Sequence, residues 1–217
     1  MSYSVVFHND DFIIVDKKPK VLSVPGRLGS EEDSRIVLGK VLELDFNVPI
    51  FPVHRLDFEV SGLILYAKNQ MAHKMGNKWF EQKQIQKTYR ALTSPIHNNF
   101  SVVVGETYEW RCRLLRGKKR AYESPHGKDS LTLATCLFVK DEVFHWDLSP
   151  ITGRSHQLRF ELFRHGHPIL GDVLYSSNKE FNGINSGGIA LRSYKMNFSK
   201  CIDYKKFNLP DELVLPV

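Results

Sequence analysis

The 217-residue sequence lacks the features of membrane, exported and disulfide-rich proteins. It contains no stretch of the roughly 20 apolar residues needed to cross a bilayer. Its N-terminus, MSYSVVFHNDDFIIVDKK, has acidic residues where a signal peptide needs an apolar segment. The three cysteines, Cys112, Cys136 and Cys201, are odd in number and widely spaced, and no CxxC pattern is present. We therefore expect a cytoplasmic protein without a disulfide framework or a cysteine-bound zinc ion.

The sequence also has no internal repeat, no low-complexity stretch and no segment with the composition of a linker. Hydrophobic residues make up 42% and charged residues 25%, which is typical of a globular protein and excludes a wholly disordered one. These properties predict a single domain that covers residues 1–217. The net charge of +6 is compatible with a polyanion partner but does not identify one.

Apolar patterns predict the main elements. Strands are expected at residues 12–16, 63–67, 84–93 and 131–139, followed by a partner strand through Phe144, Trp146 and Leu148. A first helix, capped by Asp33 or Ser34, would bury Ile36, Val37, Val41 and Leu44. A second would bury Met71, Met75 and Trp79, and a third would run from Ser155 to Gly166 with Leu158, Leu162 and Phe163 inward.

Predicted strands outnumber helices and lie next to one another along the chain. This order predicts an α+β fold with a central, largely antiparallel mixed sheet and flanking helices. Residues 94–129 and 176–188 show no clear period and are expected to be irregular. The first of these segments carries a run of cations, which is either a solvated face or a surface for a polyanion.

The first candidate site is HRLDFEVSGL, residues 54–63, on a loop before a buried strand. Asp57 beside a basic residue is suited to nucleophilic or general-base chemistry. The structural alternative is an aspartate that caps the turn before Ser61 and Gly62.

Two further segments carry candidates. In ITGRSHQLR, residues 151–159, Arg154 would lie at a helix start and could bind a carboxylate or a phosphate, or be a plain surface arginine. In QKTY, Tyr89 could stack on a flat ring or simply pack in a strand. His165 and His167 in HGHP resemble a metal pair only superficially, because no further ligand is near, so no metal site is expected.

Taken together, HRLDFEVSGL, KTY and ITGRSHQLRFELFRHGHPILGD, in this order, resemble the RluA-type family of RNA pseudouridine synthases. VDKKPKVLSVPG is similar to the opening segment of that family, and the resemblance extends from about residue 5 to residue 200. It implies the pseudouridine synthase catalytic fold, without an accessory S4-like domain. It also implies an enzyme that isomerises uridine to pseudouridine in ribosomal or transfer RNA stem-loops and needs no cofactor.

The resemblance assigns roles to individual residues. Asp57 matches the catalytic aspartate, which attacks the sugar or base or takes a proton from the ribose. Tyr89 matches the tyrosine that stacks on the target base, and Arg154 matches the arginine that pairs with the aspartate. The remaining candidates for RNA or substrate contact are Arg55, which would fill the gap left by the flipped nucleotide, His54, Leu158, Arg111, Arg113, Arg116, Lys118, Lys119 and Arg120.

The last six of these residues are expected to form a mobile loop that grips RNA. RNA is the expected partner; no membrane contact and no obligate protein partner are expected, and the protein is expected to be a monomer. The alternative is a non-catalytic RNA-binding protein of the same fold, in which Asp57 performs no chemistry.

Overall fold

The structure is a computed structural model and describes residues 2–26, 34–96, 101–175 and 187–217. These residues divide into two compact units. Unit 1 contains Met1–Gln86 and Ser193–Val217, and unit 2 contains Lys87–Arg192. Among the helices of these described ranges, none is long and apolar enough to cross a membrane. That the whole chain acts as one catalytic domain stays a prediction.

The strands are β1 (Tyr3–His8), β2 (Phe12–Lys17), β3 (Phe51–Pro52), β4 (Ser61–Ala67), β5 (Gln86–Thr93), β6 (Thr107–Arg116), β7 (Ala121–Glu123), β8 (Lys128–Lys140), β9 (Val143–Pro150), β10 (Leu191–Asn197) and β11 (Glu212–Val214). The α-helices are α1 (Leu38–Phe46), α2 (Gln70–Glu81) and α3 (Gln157–Arg164). The α+β fold with a largely antiparallel sheet is confirmed.

In unit 1 the strand order is β1–β2–β4–β10, with β3 paired to β4 and β11 paired to β10. β2 runs antiparallel to both β1 and β4. Every residue of β2 and β4 is buried, which explains why most of each strand is an apolar run, FIIV in β2 and LILYA in β4. The aromatic centre of this core is formed by Phe12, Trp79 and Phe207, whose rings lie 5.5–5.6 Å apart.

The inner face predicted for α1 is wrong. Leu38 and Leu42 are its buried residues, whereas Ile36 is 52% exposed and Leu44 is 83% exposed. The reason is that Val37 forms a strand-like bridge to Leu22, so the helix begins only at Leu38 and buries a different stripe of residues. Val37 occupies the N-cap without a side-chain cap, so Ser34 is not the cap; Asp33 lies outside the described residues.

In α2 the prediction is partly confirmed. Asn69 caps the helix by accepting a hydrogen bond from the backbone N–H of Ala72, and Trp79 is fully buried. Met71 is 65% exposed, contrary to the prediction. The buried stripe contains Ala72 and Gly76 instead, and a Cβ at Gly76 would lie 2.7 Å from Val53. Small residues therefore let this helix approach the sheet closely.

Unit 2 contains the antiparallel order β5–β9–β8–β6–β7. The predicted strand at 131–139 is confirmed within the longer β8. The expectation of an irregular segment at 94–129 is wrong, because β6, β7 and the start of β8 lie there. Trp110 and Leu114 are the buried positions of β6. Tyr108, Trp110, Cys112 and Leu114 alternate with exposed charged residues, so the sequence does carry the period of a half-buried strand here. The loop at 176–188 falls almost entirely outside the described residues.

Candidate functional site

Asp57 lies half-buried on the loop that connects β3 to β4 in unit 1. Its backbone carbonyl accepts a hydrogen bond from the N–H of Val60 at 3.2 Å, which closes a turn directly before β4. The loop leads into β4, and because this strand is fully buried it gives the end of the loop a rigid support. The carboxylate is therefore presented at the edge of the core, as expected of a catalytic group on a scaffolded loop.

The residues on both sides of Asp57 are tied to the segment that follows β2. The hydroxyl of Ser23 donates to the carbonyl of Leu56 at 2.9 Å and accepts from the N–H of Leu56 at 3.0 Å. On the other side, the backbone N–H of Lys20 donates to the carbonyl of Phe58 at 2.7 Å. The segment that resembles the family's opening motif thus holds the HRLD loop.

Lys17, the last residue of β2, is completely buried beside this loop. Its Nζ donates to the carbonyls of Val21 at 2.9 Å and Lys18 at 3.0 Å. Burial lowers the pKa of Lys17 to about 8, and the charge of Asp57 is the strongest of the nearby carboxylate influences that act in the opposite direction. The ammonium of Lys17 therefore lies within electrostatic reach of the Asp57 carboxylate.

The glycine of the Ser61-Gly62 step after the loop is required by its backbone conformation and by the space around it. Its φ is +111°, and a Cβ at this position would lie 2.1 Å from the carbonyl oxygen of Ser193. An L side chain fits neither the backbone conformation nor the space. Glycine at this position lets β10 approach β4 directly next to the Asp57 loop.

The other two HRLD candidates differ in their surroundings. The Nε2 of His54 accepts the backbone N–H of Leu65 at 2.9 Å, and its ring stacks on Phe80 at 4.5 Å. The structure therefore gives His54 a role in anchoring the loop to β4 and α2, whereas its contact with RNA stays a prediction. Arg55 is exposed, as its predicted insertion into RNA requires.

Tyr89 lies on β5 in unit 2 and is 7% exposed. It is paired in register with Leu148 of β9, so its backbone position is fixed by the sheet. The strand predicted at 84–93 is confirmed. Stacking of Tyr89 on a base stays a prediction.

Arg154 lies in the turn between β9 and α3, also in unit 2. The helix begins at Gln157, three residues beyond Arg154, so the expected position of Arg154 at the helix start is wrong. His156, at the N-cap, adopts a left-handed conformation with φ 54° that turns the chain into α3. The Nε of Arg154 donates to the carbonyl of Asp129 at 2.9 Å. Its pairing with Asp57 stays a prediction.

Gln157 organises the turn that carries Arg154. Its buried side-chain amide accepts from the backbone N–H of Arg154 at 3.0 Å and from the hydroxyl of Thr152 at 2.8 Å. The same amide donates to the carbonyl of Leu131 and to the hydroxyl of Thr132 on β8. One side chain thus connects the ITGR turn to the sheet.

A buried ion pair holds the rest of this motif. The guanidinium of Arg159 binds the carboxylate of Asp172 through two contacts of 2.7 and 2.8 Å, and both side chains are at most 2% exposed. This pair joins α3 to the HGHPILGD turn. Leu158 and Leu162 are buried as predicted, but whether Leu158 lines a substrate pocket stays a prediction.

Five of the six predicted RNA-gripping cations surround the β6–β7 hairpin as exposed side chains, and the sixth, Arg111, is equally exposed further along β6. Arg111, Arg113 and Arg116 lie on β6, so the prediction of a mobile loop is wrong for them. Two of the three face acids: Arg111 is 2.8 Å from Glu109, and Arg113 is 3.6 Å from Asp129. Only Lys118, Lys119 and Arg120 lie in the connection between the strands.

Sequence reasoning missed Lys17, Ser23 and Gln157, although all three occur within motifs that carry the family resemblance. A lysine at the end of the mostly apolar run FIIVDK is the one local signal that was available. Among the residues that the structure describes, no group of three or more His, Cys, Asp or Glu side chains is arranged to hold a metal ion.

The family model described as RNA pseudouridylate synthase matches residues 11–164. The dual-specificity RNA pseudouridine synthase RluA of Pasteurella multocida is 34% identical over 178 residues, which cover 79% of this chain and 76% of that protein. The protein of the same name from Escherichia coli K12 is 36% identical over 177 residues, covering 80% of this chain and 77% of that protein.

Two solved structures share the fold. Human RNA pseudouridylate synthase domain containing 1 matches with a TM-score of 0.73 at 23% identity, covering 99% of this chain and 83% of that one. Human RNA pseudouridylate synthase domain containing 4 matches with a TM-score of 0.69 at 17% identity, covering 99% and 88%. The fold is therefore that of a pseudouridine synthase domain.

The matched motifs, the family model and the relatives lead to one conclusion: the chain belongs to the RNA pseudouridine synthase family. It is an isomerase of the RluA type that converts uridine in RNA to pseudouridine. The resemblance proposed from the sequence is confirmed, and the enzyme is favoured over the non-catalytic RNA-binding protein.

Proposed function

We propose that this enzyme modifies specific uridines in structured stem-loops of ribosomal RNA, transfer RNA or both, with Asp57 as its catalytic residue. The names of its relatives include the words dual-specificity, which supports an enzyme that accepts more than one RNA. A protein with a net charge of +6 has a favourable long-range interaction with such a polyanion.

The main observation behind this proposal is that the contacts of the surrounding loop hold Asp57 in a defined position. Asp57 is half-buried, its neighbours Leu56 and Phe58 are hydrogen-bonded to a second segment, and the buried cation of Lys17 lies within electrostatic reach. A nucleophile or base needs a defined position before it accelerates a reaction. Asp57 attacks the sugar or the base, or removes a proton from the ribose, while uracil is detached, rotated and rejoined through carbon.

Tyr89 and Arg154 complete the proposed machinery. The ring of Tyr89 stacks on the target base, and the guanidinium of Arg154 pairs with the Asp57 carboxylate. Support comes from the fixed backbones of both residues, through the β5–β9 pairing for Tyr89 and through Gln157 for Arg154. Leu158, the second residue of α3, supplies apolar lining.

A uridine inside a stacked stem has to leave the stack before it can react, at a cost of a few kcal/mol. Arg55 fills the gap that the flipped nucleotide leaves, and the exposed cations around the β6–β7 hairpin bind phosphates. The enzyme works as a single-domain monomer in the cytoplasm without an obligate protein partner.

The test is to replace Asp57 with asparagine, which is nearly isosteric and removes the charge. Asp57→Asn is expected to fold, to bind a uridine-containing stem-loop and to form no pseudouridine. Glu59→Gln is the matched control, because it makes the same chemical change two residues away. Pseudouridine is measured in ribosomal and transfer RNA transcripts. Turnover by a folded Asp57→Asn protein contradicts the assignment, and RNA binding without turnover by the unmodified protein supports the non-catalytic alternative.

A further inference from the structure

The hydroxyl of Ser23 makes two hydrogen bonds with one residue of the catalytic loop. It accepts from the N–H of Leu56 at 3.0 Å and donates to the carbonyl of Leu56 at 2.9 Å. Ser23 is 4% exposed and Leu56 is 5% exposed, so water does not readily replace either bond. A single side chain thus satisfies both polar backbone groups of the residue that precedes Asp57.

These two bonds constrain Asp57 because of how peptide groups are built. The carbonyl of Leu56 and the N–H of Asp57 belong to the same rigid plane. A hydrogen bond to that carbonyl sets the orientation of the plane, and with it the direction in which Cα of Asp57 presents its side chain. The bond to the Leu56 N–H sets the preceding plane in the same way.

Ser23 is itself held firmly. The buried hydroxyl of Tyr66 on β4 donates to the carbonyl of Ser23 at 2.8 Å. The adjacent Leu22 exchanges backbone hydrogen bonds with the chain that enters α1, from its N–H to the carbonyl of Ile36 at 2.9 Å and from the N–H of Leu38 to its carbonyl at 2.8 Å. The serine is therefore attached directly to β4, and through Leu22 to the start of α1.

We propose that Ser23 is a positioning residue for the isomerase, which sets the orientation of Asp57 through Leu56. The inference rests on the proposed catalytic role of Asp57. The effect of Ser23 on the loop does not depend on that role, because the bonds between Ser23 and Leu56 restrict the mobility of the loop whatever chemistry the carboxylate performs.

The experiment uses Ser23→Ala in the full chain, with steady-state kinetics on a uridine-containing stem-loop. We expect kcat to fall by about tenfold to a hundredfold, since small displacements of a reacting group have effects of this size. RNA affinity and KM are expected to stay close to those of the unmodified enzyme. Hydrogen exchange of the Leu56 and Asp57 amides is expected to become faster, while exchange within β2 and β4 is retained.

Ser193→Ala is the matched control, because it removes another buried hydroxyl of unit 1, one that has no hydrogen-bond partner among the described residues. It is expected to leave kcat and the exchange of the loop unchanged. Tyr66→Phe removes the bond that holds Ser23 in place, and a smaller fall in kcat is expected. It serves as the main test if Ser23→Ala does not fold.

The two proposals fail in different ways. Turnover by Asp57→Asn contradicts the catalytic role of Asp57 and leaves the exchange result for Ser23→Ala untouched. An unchanged kcat in Ser23→Ala overturns the positioning role, as does a lower kcat without faster exchange at Leu56 and Asp57. If Tyr66→Phe is the main test, an unchanged kcat in that variant has the same meaning.

Discussion

At the scale of single residues, the loop around Asp57 is held by groups of different chemistry. The hydroxyl of Ser23 makes hydrogen bonds with the backbone of Leu56, and Lys17 places a buried positive charge near the loop. His54 accepts a hydrogen bond from a backbone N–H and stacks on Phe80. Among the described residues, no buried side-chain nitrogen or oxygen of this loop lacks a hydrogen-bond partner, which is the condition for burying such atoms without a large free-energy cost. The result is a carboxylate with a defined position at the edge of an apolar core.

Tyr89 is expected to act mainly through the face of its ring. Base–aromatic stacking contributes about 1–3 kcal/mol per base, and Tyr89→Phe keeps the face whereas Tyr89→Ala removes it. We expect Tyr89→Phe to bind a stem-loop substantially more tightly than Tyr89→Ala, as measured by equilibrium binding in an Asp57→Asn background. Equal losses of affinity in the two variants argue against stacking. Loss of turnover in Tyr89→Phe with affinity retained indicates a role of the hydroxyl in proton transfer.

At the scale of secondary-structure elements, hydrogen bonds and close contacts decide which residues meet. The ITGR turn is connected to β8 by the side chain of Gln157, and α3 is joined to the HGHPILGD turn by the Arg159–Asp172 pair. Removing one partner of such a buried pair strongly destabilises the fold, because the other charge would remain buried without its partner. These contacts therefore connect the ITGR turn, α3 and the HGHPILGD turn to one another and to β8.

The approach of β10 to β4 predicts a strong effect of substituting Gly62. Gly62→Ala places a Cβ 2.1 Å from a main-chain oxygen at φ +111°, so we expect the free energy of unfolding to fall by about 3 kcal/mol or more. Gly39→Ala is the control. It lies in α1, where alanine is a better helix former, and its Cβ would meet only a side-chain atom at 3.9 Å. Chemical denaturation compares the two, and equal stabilities would contradict the close packing.

The β6–β7 hairpin predicts a specific dependence of RNA binding on salt. Neutralising Arg116, Lys118, Lys119 and Arg120 together is expected to weaken binding and to lower the salt slope by about 0.7–0.9 for each lost phosphate contact. Thermal stability is expected to change little, because exposed charges contribute little to folding.

The control for this variant neutralises Arg111 and Arg113, which face Glu109 and Asp129. It is expected to change the slope less per residue, because a cation already paired with a carboxylate gains less from a phosphate. An unchanged slope in the quadruple variant, measured on a cognate stem-loop, indicates a solvated face without an RNA contact.

At the scale of the whole molecule, buried ionisable groups link the stability of the fold to pH. Burial lowers the pKa of His165 to about 4, with further lowering by Arg164 and His167, and burial lowers the pKa of His167 to about 4. Both rings pack on aromatic side chains: His165 stacks on Trp110 at 4.4 Å, and His167 meets Phe144 edge-on at 4.7 Å. Protonation of either ring would place a charge among these apolar groups.

We therefore expect stability to decrease in acid. Between the ordinary histidine pKa of 6.5 and the folded value of about 4, the unfolded chain binds more protons, so the free energy of unfolding falls as the pH falls through this range. The slope is at most about 1.4 kcal/mol per pH unit for each histidine. His167→Phe is expected to flatten the slope, whereas His126→Phe, at an exposed position, is not. Denaturation at pH 7.5, 5.5 and 4.5 measures this difference, and equal slopes would contradict it.

The sequence by itself determined the buried strands β2 and β4, the α+β class, the family and the three central candidates Asp57, Tyr89 and Arg154. These features have local signatures, such as an apolar run, an alternation or a motif with fixed spacing. The family and the fold are confirmed by the comparisons, while the roles of the three residues stay predictions.

Only the tertiary structure decided which side chains support the site. Ser23 and Leu56 are 33 residues apart in the sequence, and Gln157 and Thr132 of β8 are 25 residues apart. No local sequence pattern predicts either contact. The same holds for the buried face of α1, which depends on a bridge from Val37 to Leu22 rather than on the period of its own residues. The strand β6 is different, because its apolar and charged residues alternate from Tyr108 to Leu114 and its period was therefore present in the sequence.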